Sequence, residues 1–258
     1  MNEIKIKCPA KINLDLKVFP LQENGFHPIK SVMQTISLFD YLTIKVSNGV
    51  GIFLSGNSDE IPYDEKNICY KAAKIFLEKI NENKKIEIYI EKNIPVCAGL
   101  AGGSTDAAGV LFGLNKLFNL VLKDNEIHNL ALQLGSDLNF CLVGGRMLCE
   151  GRGEKLTKLP FEDFEVSLVK PKKLKISAGQ AYKAFDNLKT KSNMPNDLEF
   201  ALLHEFQELK FLHSLGFQMS GSGPTYFIKN SKVAIELNND FQVIENLYAI
   251  NYGVVEIK

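Results

Sequence analysis

Residues 94–109, IPVCAGLAGGSTDAAG, place four glycines within eleven positions and then pass into small, helix-compatible residues. A strand that feeds glycines into a helix start leaves several backbone N–H groups unpaired and aimed at one spot. Aligned peptide dipoles add partial positive charge there, and glycines remove the Cβ atoms that would hold an anion off the backbone. Ser104 and Thr105 add two hydroxyl donors in the first helical turn. The chemistry on offer is an anion site, most simply a phosphate cradle. Tight helix–strand packing at Gly102-Gly103 is the competing account. The density of glycines beside two hydroxyls favours the anion. Asp106 adds a complication, because a carboxylate repels a polyphosphate unless it points away or recruits a cation.

Several common motifs are excluded. No Gly-Lys pair occurs, so there is no Walker loop, and G-x-G-x-x-G is absent too. Protein-kinase H-R-D and D-F-G, hydrolase G-x-S-x-G and metalloprotease H-E-x-x-H are also missing. Thirty basic and thirty acidic side chains cancel, which argues against a nucleic-acid or membrane-surface binder. Five scattered cysteines, Cys8, Cys69, Cys97, Cys141 and Cys149, form no C-x-x-C pair and read as reduced thiols of a cytosolic protein. No apolar run suits a signal peptide or a membrane span, so a cytoplasmic location is expected.

The elements that must position the loop follow from hydrophobic period. At 258 residues, 45% hydrophobic and 23% charged, the chain can bury a substantial core. Ile4, Ile6, Ile12, Leu14, Leu16 and Val18 alternate as strand, with Pro9 marking an edge or bulge. Residues 41–56 read as a hairpin turning at Asn48-Gly49. Ile68, Ala72, Ile75, Phe76 and Ile80 make a helical stripe capped by Asn67 or Asp64. Ile86, Ile88 and Ile90 form a strand that enters the glycine loop, and Ala107, Leu111, Leu114 and Phe118 form the helix that leaves it.

Residues 124–137 repeat the helix pattern, capped by Asp124 and stopped by Gly135. Residues 144–160 suggest a strand pair. The pattern restarts near Phe161 with strand 165–171 and a helix over 178–189. A helical pair follows, broken near Pro195-Asn196 and ended by Gly216. Strand, glycine turn and strand occupy 217–230, and a final strand lies within 247–257. Without regular βαβα alternation, α+β is the expected class.

Three separated stretches together resemble the GHMP small-molecule kinases: CPAKINLDLKV, PVCAGLAGGSTDAAG and MSGSGPTYF, in that order over residues 8–227. Within that superfamily, GFHPIKSVMQTISLFD and LGSDLNFCLVGG resemble the 4-diphosphocytidyl-2-C-methyl-D-erythritol kinase family. The resemblance implies ATP-dependent phosphorylation of the 2-hydroxyl of a cytidine-diphosphate-linked methylerythritol, in the non-mevalonate route to isoprenoid precursors. It also implies a two-lobed α+β fold. Residues 1–157 would form the ATP-binding lobe, with a left-handed βαβ crossover against the usual rule. Residues 158–258 would form a ferredoxin-like substrate lobe.

The same resemblance implies residue roles. Asn67, Pro95, Val96, Cys97, Ala98, Gly99, Leu100, Ala101, Gly102, Gly103, Ser104 and Thr105 would hold ATP. Asp137, just past a helix end, would accept the substrate hydroxyl proton. Lys11 would partner it and steady developing charge. Phe26, His27 and Tyr182 would hold cytidine, Phe26 standing in for the family's tyrosine, with Asn13 orienting substrate or Lys11. Mg²⁺ is expected, and whether Ser104, Thr105 or Asp106 meets it is open. Cys97 reads as a packing residue. Ala101 stands where many members have glycine, and Asn139 replaces the family proline. His128, His204 and His213 are assigned to surface or core. The rivals are a GHMP kinase acting on homoserine, mevalonate or a sugar, and a non-catalytic nucleotide sensor. The partners are small molecules, with no nucleic acid and no membrane.

Overall fold

The structure, a computed structural model, describes residues 2–257 except 24, 189, 191, 234–236 and 238. The chain opens with β1 (Glu3–Asn13), a short β2 (Lys17–Val18), the long β3 (Ile29–Ser47) and β4 (Gly51–Gly56). Helix α1 (Ile68–Ile80) leads to β5 (Lys85–Glu91), and the glycine loop then delivers α2 (Gly102–Leu117). Next come α3 (Asp124–Leu134), α4 (Leu138–Val143) and the pair β6 (Arg146–Gly151) and β7 (Lys155–Lys158). The second half holds β8 (Glu165–Pro171), α5 (Ala178–Asp186), α6 (Asp197–Leu202) and α7 (Gln207–Ser214). It ends with β9 (Gln218–Met219), β10 (Tyr226–Lys229), β11 (Phe241–Tyr248) and β12 (Val255–Ile257).

Among the described residues the strands form two sheets. The larger runs β12-β1-β3-β5-β4, with β2 and the β6–β7 hairpin joined to β3. The smaller runs β11-β8-β10-β9, every neighbour antiparallel, which is four-one-three-two in chain order. β12 belongs to the first sheet, so the chain returns to pair Lys7 with Val255. The architecture is mixed α+β. Among the described residues no helix is long and apolar enough to cross a membrane.

Alternation explains the central strands: Ile4 and Ile6 of β1, Leu42 and Ile44 of β3, and Ile86, Ile88 and Ile90 of β5 are all buried. Helix α2 lies close against this face because Gly109 has no side chain. A Cβ there would sit 2.5 Å from Cys8 Sγ and 2.9 Å from Leu42 Cδ1. The predicted irregularity at Pro9 is a register shift between Pro9 and Ala10 in the β1–β3 ladder.

Five local expectations are corrected. Residues 41–56 are not a hairpin: β5 inserts between β3 and β4, pairing antiparallel with the first and parallel with the second. The isoleucine-rich β5 takes the buried centre and leaves β4 at the edge. The α1 stripe is centred on Cys69, Ala72, Ala73, Phe76 and Leu77, with Ile68, Ile75 and Ile80 only half-buried. The cap of α3 is Lys123, one residue before Asp124. Gly135 ends that helix with φ 171°, extended backbone rather than the left-handed stop. Asn196 caps α6 from its side chain, and the break between α6 and α7 falls later, at 203–206.

Candidate active site

A cavity of about 940 Å³ is lined from both halves of the chain, Lys11 at one extreme and Ser222 at the other. Strand β1 contributes Lys11 and Asn13, two residues apart and therefore on one face. Lys11 Nζ donates to Asn13 Oδ1 at 2.5 Å and lies 3.6 Å from Asp137 Oδ2. Asn13 is fixed in turn. Its Nδ2 donates to Ser31 Oγ at 2.7 Å, and its backbone N–H to Ser220 Oγ at 3.3 Å. Asp137 caps α4 without a side-chain cap bond, which leaves its carboxylate for the cavity.

The glycine loop is stitched to that strand. Lys11 N–H donates to Leu100 O at 3.1 Å, and Ser220 Oγ donates to Gly99 O at 3.0 Å. Only glycine fits at position 99, where a Cβ would fall 2.2 Å from Ser220 O. The loop takes left-handed backbone at alternate positions, with φ 51° at Cys97, 72° at Gly99 and 58° at Ala101. Left-handed residues alternating with others turn successive N–H groups into a concave anion nest. Ala101 caps α2 with no side-chain bond, so the first-turn donors of that helix are not consumed by a cap.

Of the residues expected to hold ATP, Asn67, Pro95 to Gly99 and Ala101 to Ser104 line the cavity, whereas Leu100 and Thr105 do not. Both of those are buried, Leu100 in the smaller core cluster and Thr105 within α2. Cys97 is exposed, so it is not a packing residue; Ala98 and Leu100 do the packing. Asn67 caps α1 by accepting from Cys69 N–H at 2.9 Å while its Nδ2 donates to Pro62 O at 2.6 Å. His128 and Asn139 meet at 2.8 Å and tie α3 to α4.

Sequence reasoning missed the cavity wall behind the loop. Lys92, just past β5, donates to Asp106 Oδ2 at 2.8 Å and to Asp40 Oδ2. Asp40 also accepts from Asn93 N–H at 2.6 Å and Ile94 N–H at 2.8 Å, which pins the approach to the loop. Burial drives the Asp106 carboxyl up to about 8, Lys92 opposing and Asp40 reinforcing the shift. Asp106 Oδ1 is buried without a partner. A lysine closing a strand just before a glycine loop was the available signal. Its two acids come from separate elements, which spacing does not reveal. Among the described residues no group of three His, Cys, Asp or Glu side chains is placed to hold a metal.

Phe26, His27 and Tyr182 line the same cavity. Tyr182 stacks on His27 with centroids 5.2 Å apart at 24°, and Phe185 meets the imidazole edge-on at 5.9 Å. His27 Nδ1 is 2.8 Å from Phe19 O, so that nitrogen donates, and Nε2 faces Asp186 Oδ1 at 3.3 Å. The phenol of Tyr182 is pushed up to about 12, chiefly by burial and then by Asp137. All the expected substrate-side residues therefore share one cavity with Lys11 and Asp137.

The GHMP kinases N terminal domain family matches residues 67–145. A 4-diphosphocytidyl-2-C-methyl-D-erythritol kinase of Clostridium botulinum (strain Alaska E43 / Type E3) is 43% identical over 252 residues, 86% of this chain and 89% of that protein. The protein of the same name from Clostridium tetani is 42% identical, covering 87% and 90%. A crystal structure of 4-(cytidine 5'-diphospho)-2C-methyl-D-erythritol kinase superposes with a TM-score of 0.79 at 27% identity, over 95% of this chain and 99% of that one. A homoserine kinase of Cytophaga hutchinsonii shares the fold at a TM-score of 0.75 and 17% identity, covering 100% and 98%. With relatives at this identity over most of its length, the chain belongs to the 4-diphosphocytidyl-2-C-methyl-D-erythritol kinase family of GHMP kinases.

Proposed function

We propose that this enzyme transfers the terminal phosphoryl group of ATP to the 2-hydroxyl of 4-diphosphocytidyl-2-C-methyl-D-erythritol. The supporting observation is the Lys11–Asp137 pair, 3.6 Å apart, on the wall of the cavity that the glycine loop also lines. Phosphoryl transfer asks a protein mainly for positioning and charge neutralisation. The anion nest at residues 97–101 and the start of α2 receive the triphosphate. Asp137 accepts the hydroxyl proton as the oxygen attacks. Lys11, oriented by Asn13, faces the developing charge. Cytidine is held by Phe26, His27 and Tyr182.

A magnesium ion entering with ATP suits the residues present. Ser104 is on the cavity, and Asp106 offers an unpartnered buried oxygen beside it. Bound there, magnesium supplies neutralisation of phosphate oxygens. We read residues 1–157 as the nucleotide lobe and 158–258 as the substrate lobe, with β12 laid back onto β1.

The test is ADP release by purified protein offered the cytidine-diphosphate alcohol, mevalonate and homoserine in turn. Turnover confined to the first is expected. Turnover confined to either of the others overturns the substrate assignment.

A further inference from the structure

One cavity cation has no part in the chemistry above. Arg152 follows β6 in the turn of the β6–β7 hairpin, and its backbone N–H donates to Glu154 Oε2 at 2.6 Å. Its guanidinium lies 3.6 Å from the centroid of the Phe26 ring. The side chain lines the same cavity as Ser136, Asp137, His27 and Tyr182. Its Nε is buried with no hydrogen-bond partner, and among the described residues it enters no ion pair.

The other cavity cations are differently placed. Lys11 is engaged by Asn13 and Asp137, and Lys92 by Asp40 and Asp106. Lys66 and Lys183 are exposed point charges. Arg152 alone combines a fixed backbone, a stacked planar head, partial burial and open donors. A guanidinium with these properties recognises a phosphate group through two parallel hydrogen bonds.

Position gives the ligand. A nucleoside-diphosphate-linked alcohol has its base at one end, its reacting hydroxyl at the other and two phosphates between. Arg152 rests on the aromatic residue assigned to the base and shares a wall with the Lys11–Asp137 pair. We infer that Arg152 binds the diphosphate of the second substrate, an inference that rests on the function proposed above. The contact makes the site select a nucleoside diphosphate over a nucleoside.

The experiment compares wild type, Arg152→Lys and Arg152→Gln by steady-state kinetics and by calorimetric binding of CDP and of cytidine. Arg152→Gln should raise KM for the cytidine-diphosphate alcohol by roughly 10- to 100-fold, the range for losing charge-assisted hydrogen bonds. KM for ATP should stay put, and Arg152→Lys should recover part of the loss. Wild type should prefer CDP over cytidine, and Arg152→Gln should erase most of that preference. A role limited to bracing Phe26 would weaken CDP and cytidine equally; that result, or an unchanged KM, overturns the inference while leaving the kinase reading intact. Wild-type protein without turnover on the cytidine-diphosphate alcohol overturns both.

Discussion

Lys92 Nζ sits 2.8 Å from Asp106 Oδ2 and also meets Asp40, so one ammonium joins the end of β5, the middle of β3 and the second turn of α2. All three side chains are almost wholly withdrawn from water. The cluster sets the height of α2 against the sheet, and therefore the position of the glycine loop that precedes it.

Asp106 should impose a pH dependence on stability. Its carboxyl rises from 3.8 to about 8 on folding, mainly through burial. The folded state thus holds a proton that the unfolded chain has released. That contribution is complete below about pH 4 and lost as pH rises towards about 8. Urea midpoints measured from pH 4 to 9 should fall over this window, and Asp106→Asn should flatten the fall. An unchanged slope in the variant would remove Asp106 as its source.

Asp137→Asn should keep the fold and bind ATP with near wild-type affinity while kcat drops at least ~100-fold, the usual scale of general-base removal. Lys11→Met should also lower kcat, and the double variant should be far less than additive because the two act as a pair. Retained activity in Asp137→Asn would displace the base assignment.

Ala101 adopts φ 58°, left-handed backbone that penalises a Cβ by about 1–2 kcal/mol. Ala101→Gly relieves that strain and gives back part of the gain as unfolded-chain entropy. The expected net effect is a stabilisation of about 0.5–1 kcal/mol, read from denaturant midpoints. A destabilised variant would mean that the methyl group packs usefully.

Cys97 should label first. It is exposed, whereas Cys8, Cys69, Cys141 and Cys149 are buried. Burial pushes those four thiols up, Cys149 to about 12. A thiol reagent should therefore modify one cysteine quickly in the native protein, and saturating ATP should slow it several-fold. Labelling that ignores ATP would place the nucleotide away from this loop.

The sequence carried the strand–loop–helix unit because local signals agree there: β-branched alternation up to Ile90, then glycines, then a helical period. It carried Lys11, Asp137 and the aromatic residues through motif resemblance, and these do face one cavity. What escaped was non-local. Nothing in residues 41–56 announces that β5, which starts only at Lys85, will lie between β3 and β4. The bridging of Asp40 and Asp106 by Lys92 likewise joins residues 52 and 14 positions away. Arg152 lies between two glycines, and only the fold sets its guanidinium against Phe26, more than a hundred positions earlier.

The return of β12 to β1 has a consequence for the order of events during folding. Lys7 must find Val255, so the strand bearing Lys11 is among the first segments made and among the last to be flanked on both sides. Such a distant pairing is slow to close, because loop entropy is spent before the contact returns it. The smaller sheet and helices α5 to α7 lie wholly within the closing loop, so the β1–β12 edge should be the final piece of the larger sheet to gain hydrogen-exchange protection.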